Sequence, residues 1–259
     1  TFAYRYQWIN SGAKLHQKSL TCHLPFNQKR MGLGFILLEE SSKIKQITQF
    51  STNLTYKINA FKGLLSFGLE GGFIQQKVDF SSLLIKDDND PLAQNINLID
   101  GDFSTGIFYQ NESLFLGFSG KHLAFNEIRN SYFLHTIYAY HLNSSIKIIP
   151  SLLFKYHEQW NHSLLDLNIH FKMKEQYWIG VSYQTSHEIS LQSGLLIHKI
   201  NQKISRPIFL GYNYDYGFSA LYPTNNAGSH EIVFKIHIKP RPNPSHILNK
   251  KRYVSPLFF

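Results

Sequence analysis

Thirteen histidines are spread along the chain, and those followed directly by a glutamate include His187-Glu188 and His230-Glu231. A zinc hydrolase needs the pattern His-Glu-x-x-His on a helix, which places two imidazoles and a general base together. Neither pair continues into that pattern. Ser229 precedes His230, but adjacent residues on a strand point to opposite faces, so these neighbours do not form a triad by themselves. The sequence leaves only a Ser/His pair assembled across strands as a catalytic possibility.

Acidic residues cluster once, at Asp87-Asp88-Asn89-Asp90-Pro91. Carboxylate oxygens suit calcium, so Asp87, Asp88 and Asp90 are a candidate metal site. The cluster lacks the glycine and terminal glutamate of an EF-hand, and Asp, Asn and Pro are also the residues of an ordinary solvated turn. No glycine-rich phosphate loop occurs, and we expect no cofactor.

The composition excludes a helical membrane protein. Hydrophobic residues make up 43% of the chain and the mean hydropathy is −0.23. No apolar run approaches the roughly 20 residues that a spanning helix needs. The aromatic share of 15% suits either the aromatic girdles of a membrane β-barrel or a tyrosine-rich soluble sandwich. The single cysteine, Cys22, excludes an intrachain disulfide and is interpreted as an ordinary strand residue.

The formal net charge of +9 does not predict nucleic-acid binding, because the basic residues are scattered along strands rather than gathered in one patch. Only the end of the chain concentrates them, in a stretch broken by prolines. We therefore divide the chain into a barrel, 1–239, and a basic, Pro-rich tail, 240–259. The basic residues at this end are Lys239, Arg241, Lys250, Lys251 and Arg252, and the last three are the candidate partner-binding residues.

Apolar and polar residues alternate with a period of two, which predicts strands with one apolar face. In Gly228 to Lys239, the residues Ile232, Phe234, Ile236 and Ile238 share one face, which we predict to face lipid, while Lys235 and His237 face the lumen. About fourteen strands follow: the opening segment, Lys14 to Pro25, Arg30 to Glu40, Ile44 to Asn59, Lys62 to Val78, Asp102 to Gln110, Glu112 to Leu123, Ser131 to Leu142, Ser145 to Tyr156, Leu165 to Met173, Glu175 to Thr185, His187 to Lys199, Ile208 to Tyr216 and Gly228 to Lys239.

The lengths of the connections between the predicted strands test the barrel prediction independently. The connections Phe26 to Lys29, Ala60 to Phe61, Asn111, Asn143 to Ser144 and Lys174 are short and fall at one end. The longest, Asp79 to Gly101, Ala124 to Asn130 and Gly217 to Ala227, fall at the other. Outer-membrane barrels have short periplasmic turns and longer external loops. The sequence therefore predicts an all-β, antiparallel transmembrane β-barrel of about 14 strands in the outer membrane.

Several short motifs resemble one known family, the PorP/SprF outer-membrane proteins of the type IX secretion and gliding machinery of Bacteroidota. The resemblance covers nearly the whole chain. Members usually carry a signal peptide and a further segment before the first motif, so we expect the given chain to be a mature or trimmed form. The motifs are Tyr4 to Trp8, Leu65 to Gly72, Gly117 to Leu123, Pro150 to Tyr156, Trp178 to Tyr183, Gly211 to Asp215, Asn225 to Ile232 and Ser255 to Phe259.

The resemblance implies a non-enzymatic barrel of the cell outer membrane. It would either couple the periplasmic ring of the secretion machinery to the outer membrane or anchor exported surface proteins and adhesins. Its partners would be outer-membrane lipids, ring proteins or lipoproteins, or the exported adhesins, with no nucleic acid. Two other classes stay open: a transport channel for a small or hydrophobic solute, and a barrel enzyme such as an outer-membrane lipase.

Overall fold

The computed structural model describes residues 1–10, 15–26, 30–80, 95–123, 130–158, 161–197, 207–218 and 227–237. Within these residues no helix is long or apolar enough to cross a membrane. Fifteen strands run in chain order: β1 Phe2–Gln7, β2 Leu15–Phe26, β3 Met31–Ser41, β4 Lys45–Ala60, β5 Gly63–Val78, β6 Ile96–Gln110, β7 Leu114–Lys121, β8 Ser131–Tyr138, β9 Tyr140–His141, β10 Ile146–His157, β11 His162–Met173, β12 Tyr177–Gln184, β13 Glu188–Leu196, β14 Ile208–Gly217 and β15 Ser229–Ile236.

The strands form one closed antiparallel barrel. Successive strands pair with each other, and β15 pairs with β1, with Arg5 opposite Glu231 at the seam. The strands β8 and β9 both pair with β10, on either side of Ala139. They therefore count as one interrupted barrel strand, and the barrel has fourteen such strands. The predicted fold class is confirmed. Among the described residues, each of the fourteen barrel strands pairs on both sides over at least part of its length, which suits a sheet in a membrane.

One predicted strand boundary was wrong by several residues. The strand β6 begins at Ile96 rather than at Asp102, because β5 extends to Val78 and offers a ladder partner, with Val78 opposite Ile96 and Gly72 opposite Asp102. The polar residues Asn97 and Asp100 by themselves favour a loop in this segment. Pairing with a neighbouring strand overrides such a local preference.

The two ends of the barrel differ in their connections. At one end, which we call the long-loop end, the connections are 8–14, 42–44, 79–95, 122–130, 158–161, 185–187 and 218–228. At the other, the short-turn end, they are 27–30, 61–62, 111–113, 142–145, 174–176 and 197–207. The longest predicted loops lie at the long-loop end, as expected. The connection 197–207 is also long but lies at the short-turn end, and the connections 42–44 and 185–187 at the long-loop end have only three residues each.

Specific local geometry tightens the short turns. Phe61 and Lys62 both have positive φ, 50° and 60°, as a two-residue type I′ turn requires. The Tyr109 hydroxyl donates a hydrogen bond to the Phe61 carbonyl oxygen at 2.7 Å. In a second turn, the Asn111 side-chain oxygen accepts from two backbone N–H groups, those of Ser113 and Leu114. These turns hold neighbouring strands in register.

The wall has an apolar outer face and an inner face that is largely polar in the long-loop half. On β15, Ile232, Phe234 and Ile236 are 51%, 36% and 42% exposed, and they alternate with the less exposed Val233 and Lys235. The predicted face assignment is confirmed for these residues, whereas Ile238 lies outside the described part of the chain. Exposed aromatics mark both ends of the outer face. Tyr56, Phe61, Tyr138, Tyr140 and Tyr177 lie towards the short-turn end, and Tyr183, Tyr216 and Phe218 towards the long-loop end.

Prolines are normally confined to strand ends, edges and bulges. Pro207 directly precedes β14, as expected. Pro150 instead lies inside β10, opposite Ile169 of β11. A proline has no N–H to donate to a strand ladder. On the other side of β10, the strand formed by β8 and β9 is interrupted at Ala139. The Ala139 N–H instead donates to the Ser113 carbonyl oxygen at 2.7 Å.

Candidate functional site

A polar cavity of about 490 Å³ lies in the long-loop half of the lumen. Its lining comes from β1 and from β10 to β15, which together form half of the wall. We call it the Arg5 cavity. Its charged lining residues are Arg5, Lys155, Asp166, Glu188, Asp215 and Glu231, and amide and hydroxyl side chains supply most of the remainder.

Arg5 is the centre of an ion-pair network across the barrel seam. Its guanidinium lies 2.7 Å from the Asp215 carboxylate and 3.8 Å from the carboxylates of Glu188 and Glu231. These partners belong to β13, β14 and β15, so one side chain of β1 connects the three strands that precede the seam. A planar guanidinium with five donors suits this role better than an ammonium group would.

Asp215 is the most deeply buried of these acids, with 2% of its surface exposed. One carboxylate oxygen accepts a hydrogen bond from the Asn213 amide at 2.6 Å, and the other faces Arg5. A buried carboxylate is tolerated only where such partners surround it. On the far wall of the cavity, Lys155 pairs with Asp166 at 2.6 Å.

A second polar group lies on the opposite side of the lumen, around Asp102. This carboxylate accepts from the Gln49 amide at 3.1 Å and lies 3.0 Å from His122 Nδ1. The Gln49 amide also donates to the Ser51 hydroxyl, which is fully buried. The inner wall of β4 and β6 is thus hydrogen-bonded across the intervening strand β5.

Towards the short-turn end, the inner wall of β7, β8 and β10 is apolar. Phe115, Ile137 and Ile149 are 2%, 5% and 2% exposed and pack together, with Phe108 against them. We call these four residues the Phe115 cluster. Phe115, Ile137 and Ile149 are inward-facing and well buried, and Phe108 is partly buried against them, so this part of the lumen wall is an apolar core.

A second apolar contact at this end involves Trp178, which stacks on Phe209 with 5.8 Å between ring centroids and meets His170 edge-on at 5.4 Å. The indole lies over Gly194, where an added Cβ would come within 2.2 Å of Trp178 Nε1. The glycine on β13 is therefore required for the ring to lie flat against the wall.

The Ser/His pair considered from the sequence has one counterpart in the described residues. The Ser131 hydroxyl lies 2.9 Å from His157 Nδ1, inside the long-loop end. Lys155, His162 and His122 are among the neighbours of His157. A general base must become an imidazolium, and a basic neighbour opposes that charge. These neighbours, rather than the Ser131–His157 distance, disfavour a hydrolase.

The candidate residues chosen from the sequence are not among those that the structure describes. Asp87, Asp88 and Asp90, and the tail residues Lys250, Lys251 and Arg252, lie outside the described residues. Within the described ranges, no group of three or more His, Cys, Asp or Glu could hold a metal ion. Sequence reasoning missed the Arg5 network. The available signal was alternation, since Asp215 and Glu231 each occupy the polar positions of a strand with an apolar face.

Comparison with known proteins gives one family match. The model of the family described as type IX secretion system membrane protein PorP/SprF matches residues 1–236. No curated protein matches the chain.

Three solved structures illustrate the structural neighbours. BamA from Haemophilus ducreyi, lacking POTRA domains 1–3, has a TM-score of 0.46 at 9% identity and covers 92% of this chain and 70% of its own. The NanC porin has a TM-score of 0.44 at 12% identity, with 92% and 100% covered. A Pseudomonas aeruginosa FadL homologue has a TM-score of 0.43 at 11% identity, with 91% and 88% covered.

Proposed function

Because the chain belongs to the PorP/SprF family of type IX secretion system membrane proteins, we propose that it holds exported surface proteins at the outer face of the outer membrane. The chain is an outer-membrane β-barrel, and its family implies contact with components of the secretion machinery. The second role within this proposal is to couple the periplasmic ring to the outer membrane. Neither role involves catalysis.

The sidedness of the barrel follows from its connections. Outer-membrane barrels have short periplasmic turns and longer external loops, so we assign the long-loop end to the outside. The outer face supports a membrane position, since large hydrophobic side chains are exposed along it and aromatics lie near both ends. On this assignment the Arg5 cavity lies in the outer half of the lumen.

The Arg5 cavity is the observation that carries the holding role. It offers a built, polar recess of about 490 Å³ on the side where an exported protein emerges. Binding sites typically combine a concave recess with a few well-placed polar groups. The ion pairs of Arg5 to β13, β14 and β15 keep the recess rigid, which lowers the entropy lost on binding.

Affinity purification from native membranes tests the proposal directly. We expect a large exported protein or a periplasmic lipoprotein to remain bound to the tagged barrel after detergent extraction. Its absence under mild extraction, with the barrel intact, would contradict the proposal. If only ring lipoproteins remain bound, the coupling role replaces the holding role.

The tail, 240–259, extends the proposal to the periplasm. β15 ends at Ile236 at the short-turn end, so the chain continues from the side assigned to the periplasm. We expect basic residues such as Lys250, Lys251 and Arg252 to dock on a ring component. Deletion of Arg241 to Phe259 should remove ring proteins from the purified complex, and unchanged co-purification would refute the docking.

The two alternative functions, a transport channel and a barrel enzyme, have their own tests. A transport channel would give liposome swelling or single-channel conductance, but we expect little because apolar residues of the Phe115 cluster and Trp178 line the lumen at the short-turn end. An enzyme would lose esterase activity on Ser131→Ala. We expect no such activity in the wild-type protein, since the neighbours of His157 are basic.

A further inference from the structure

The Arg5 cavity has an excess of negative charge. Four carboxylates line it, those of Asp166, Glu188, Asp215 and Glu231, against only two cations, Arg5 and Lys155. The chain as a whole carries a net charge of +9, so this local excess is opposite to the average of the protein. A cavity walled by one sign of charge attracts ligands of the other sign.

Arg5 contacts its three carboxylate partners unequally. Arg5 makes one close contact, with Asp215 at 2.7 Å, while its contacts with Glu188 and Glu231 are both 3.8 Å, longer than a hydrogen bond. Each ionised carboxylate can accept about four hydrogen bonds, whereas one guanidinium has five donors to share among three such groups. Arg5 alone does not saturate its partners.

Two further acceptors at the cavity lack a donor. The Asp166 Oδ1 and Asn213 Oδ1 atoms are buried and have no hydrogen-bond partner among the described residues. Asp166 lies on β11 and Asn213 on β14, so the two unpaired acceptors belong to different strands of the cavity wall. Buried acceptors are normally satisfied by protein, water or ligand. A ligand with N–H groups would satisfy them.

We propose that the Arg5 cavity binds a lysine or arginine side chain carried by a segment of an exported protein. Ammonium and guanidinium groups bring positive charge and N–H donors only, which is what the excess carboxylates and the two unpaired oxygens require. The volume of about 490 Å³ exceeds a single ion and accommodates a short piece of peptide. This inference rests on the proposed holding of exported proteins at the long-loop end.

Peptide binding to the purified full chain tests the inference. The probe is fluorescently labelled octalysine, measured by anisotropy with the barrel in a zwitterionic detergent at low salt. The comparison probe is octaglutamate of the same length. We expect octalysine to bind and to weaken as salt rises, and octaglutamate not to bind. Equal binding of both peptides would overturn the inference.

The variant Glu188→Gln with Glu231→Gln removes the excess charge, keeps the side-chain shapes and leaves the Arg5–Asp215 pair in place. Octalysine should then bind about tenfold more weakly or worse. The matched control is Glu39→Gln, which removes a carboxylate that pairs with Lys18 outside the lumen, and should leave octalysine binding unchanged. Equal losses in both variants would place the binding on the general surface and refute the site.

A gain-of-charge variant covers the case in which the double variant does not fold. Gln7 lines the same cavity, and Gln7→Glu should tighten octalysine binding severalfold. No tightening would count against the cavity as the site. Co-purification tests the proposed function separately. If octalysine binding is lost while an exported protein stays bound, only the cavity inference is refuted. If octalysine binds but no exported protein co-purifies, the exported protein is refuted as the partner.

Discussion

Two regions of the inner wall differ sharply in chemistry. Around Arg5, in the long-loop half, inward side chains are charged and connected by ion pairs, with Asp215 almost fully buried. In the Phe115 cluster, towards the short-turn end, inward side chains pack like the core of a soluble domain. The difference teaches that inward does not mean polar in this barrel. The Arg5 region is the proposed binding site, whereas the Phe115 region is a packed apolar core.

Breaking the charged region should have the largest effect. In Arg5→Leu, Asp215 stays buried without its ion-pair partner, and the free energy of unfolding should fall by about 3–5 kcal/mol. Urea unfolding in detergent, followed by tryptophan fluorescence, measures the change. Lys18→Ala removes the exposed outer ion pair with Glu39 and should leave the stability nearly unchanged. Similar losses in both variants would contradict the buried role of Arg5.

The apolar region should be almost as sensitive. Phe115→Ala opens a cavity among well-buried residues and should cost about 3–5 kcal/mol in the free energy of unfolding. Phe118 lies on the same strand but on the outer face, 51% exposed, so Phe118→Ala leaves no enclosed cavity and should cost clearly less. The same urea titration compares them. If Phe118→Ala proved the more damaging, the Phe115 cluster would not be a packed core.

The end of β15 allows the lipid face and the lumen face of one strand to be compared. Ile236→Lys places a charge on the lipid face, which costs about 2–4 kcal/mol at the membrane midplane and less towards the interfaces. His237→Lys puts the same side chain on the lumen side. We expect Ile236→Lys to reduce the amount of folded barrel in isolated outer membranes, measured as the form whose gel mobility changes on heating. His237→Lys should leave this amount near that of the wild-type protein. Equal tolerance would overturn the face assignment.

The smallest effect is expected beyond the strand ends, in the short turn at Glu175. Burial raises the pKa of this carboxyl, but hydrogen bonds and charge from Lys147 and Lys172 outweigh it and lower the pKa to about 2. Lys147 Nζ contacts one carboxylate oxygen, and Lys172 Nζ lies 3.1 Å from the other. The ionised form is therefore favoured in the folded barrel.

Because the folded-state pKa lies below the ordinary value of 4.5, Glu175 stabilises the barrel above pH 4.5 and this contribution is lost as the pH falls towards 2. Glu175→Gln should remove that part of the acid dependence. Thermal unfolding of both proteins between pH 2 and pH 7, chosen to bracket the pKa values of about 2 and 4.5, provides the measurement. Parallel pH profiles would show that the turn contributes nothing.

The sequence by itself determined the strands, their faces and the asymmetry of the ends. Alternation with a period of two is a local property, so Ile232, Phe234 and Ile236 could be assigned to one face without knowing their neighbours. Asn111 and Asn143 marked short turns for a similar reason, since their side chains accept hydrogen bonds from backbone N–H groups two and three residues ahead.

Only the tertiary structure decided which inward residues meet. Arg5 reaches Asp215 because β15 pairs with β1 and closes the sheet, bringing together residues from opposite ends of the chain. The Phe115 cluster and the extension of β6 to Ile96 likewise depend on the strands alongside. A period of two identifies the residues that share a face. Register and closure, which are set by pairing over the whole barrel, determine the contacts among them.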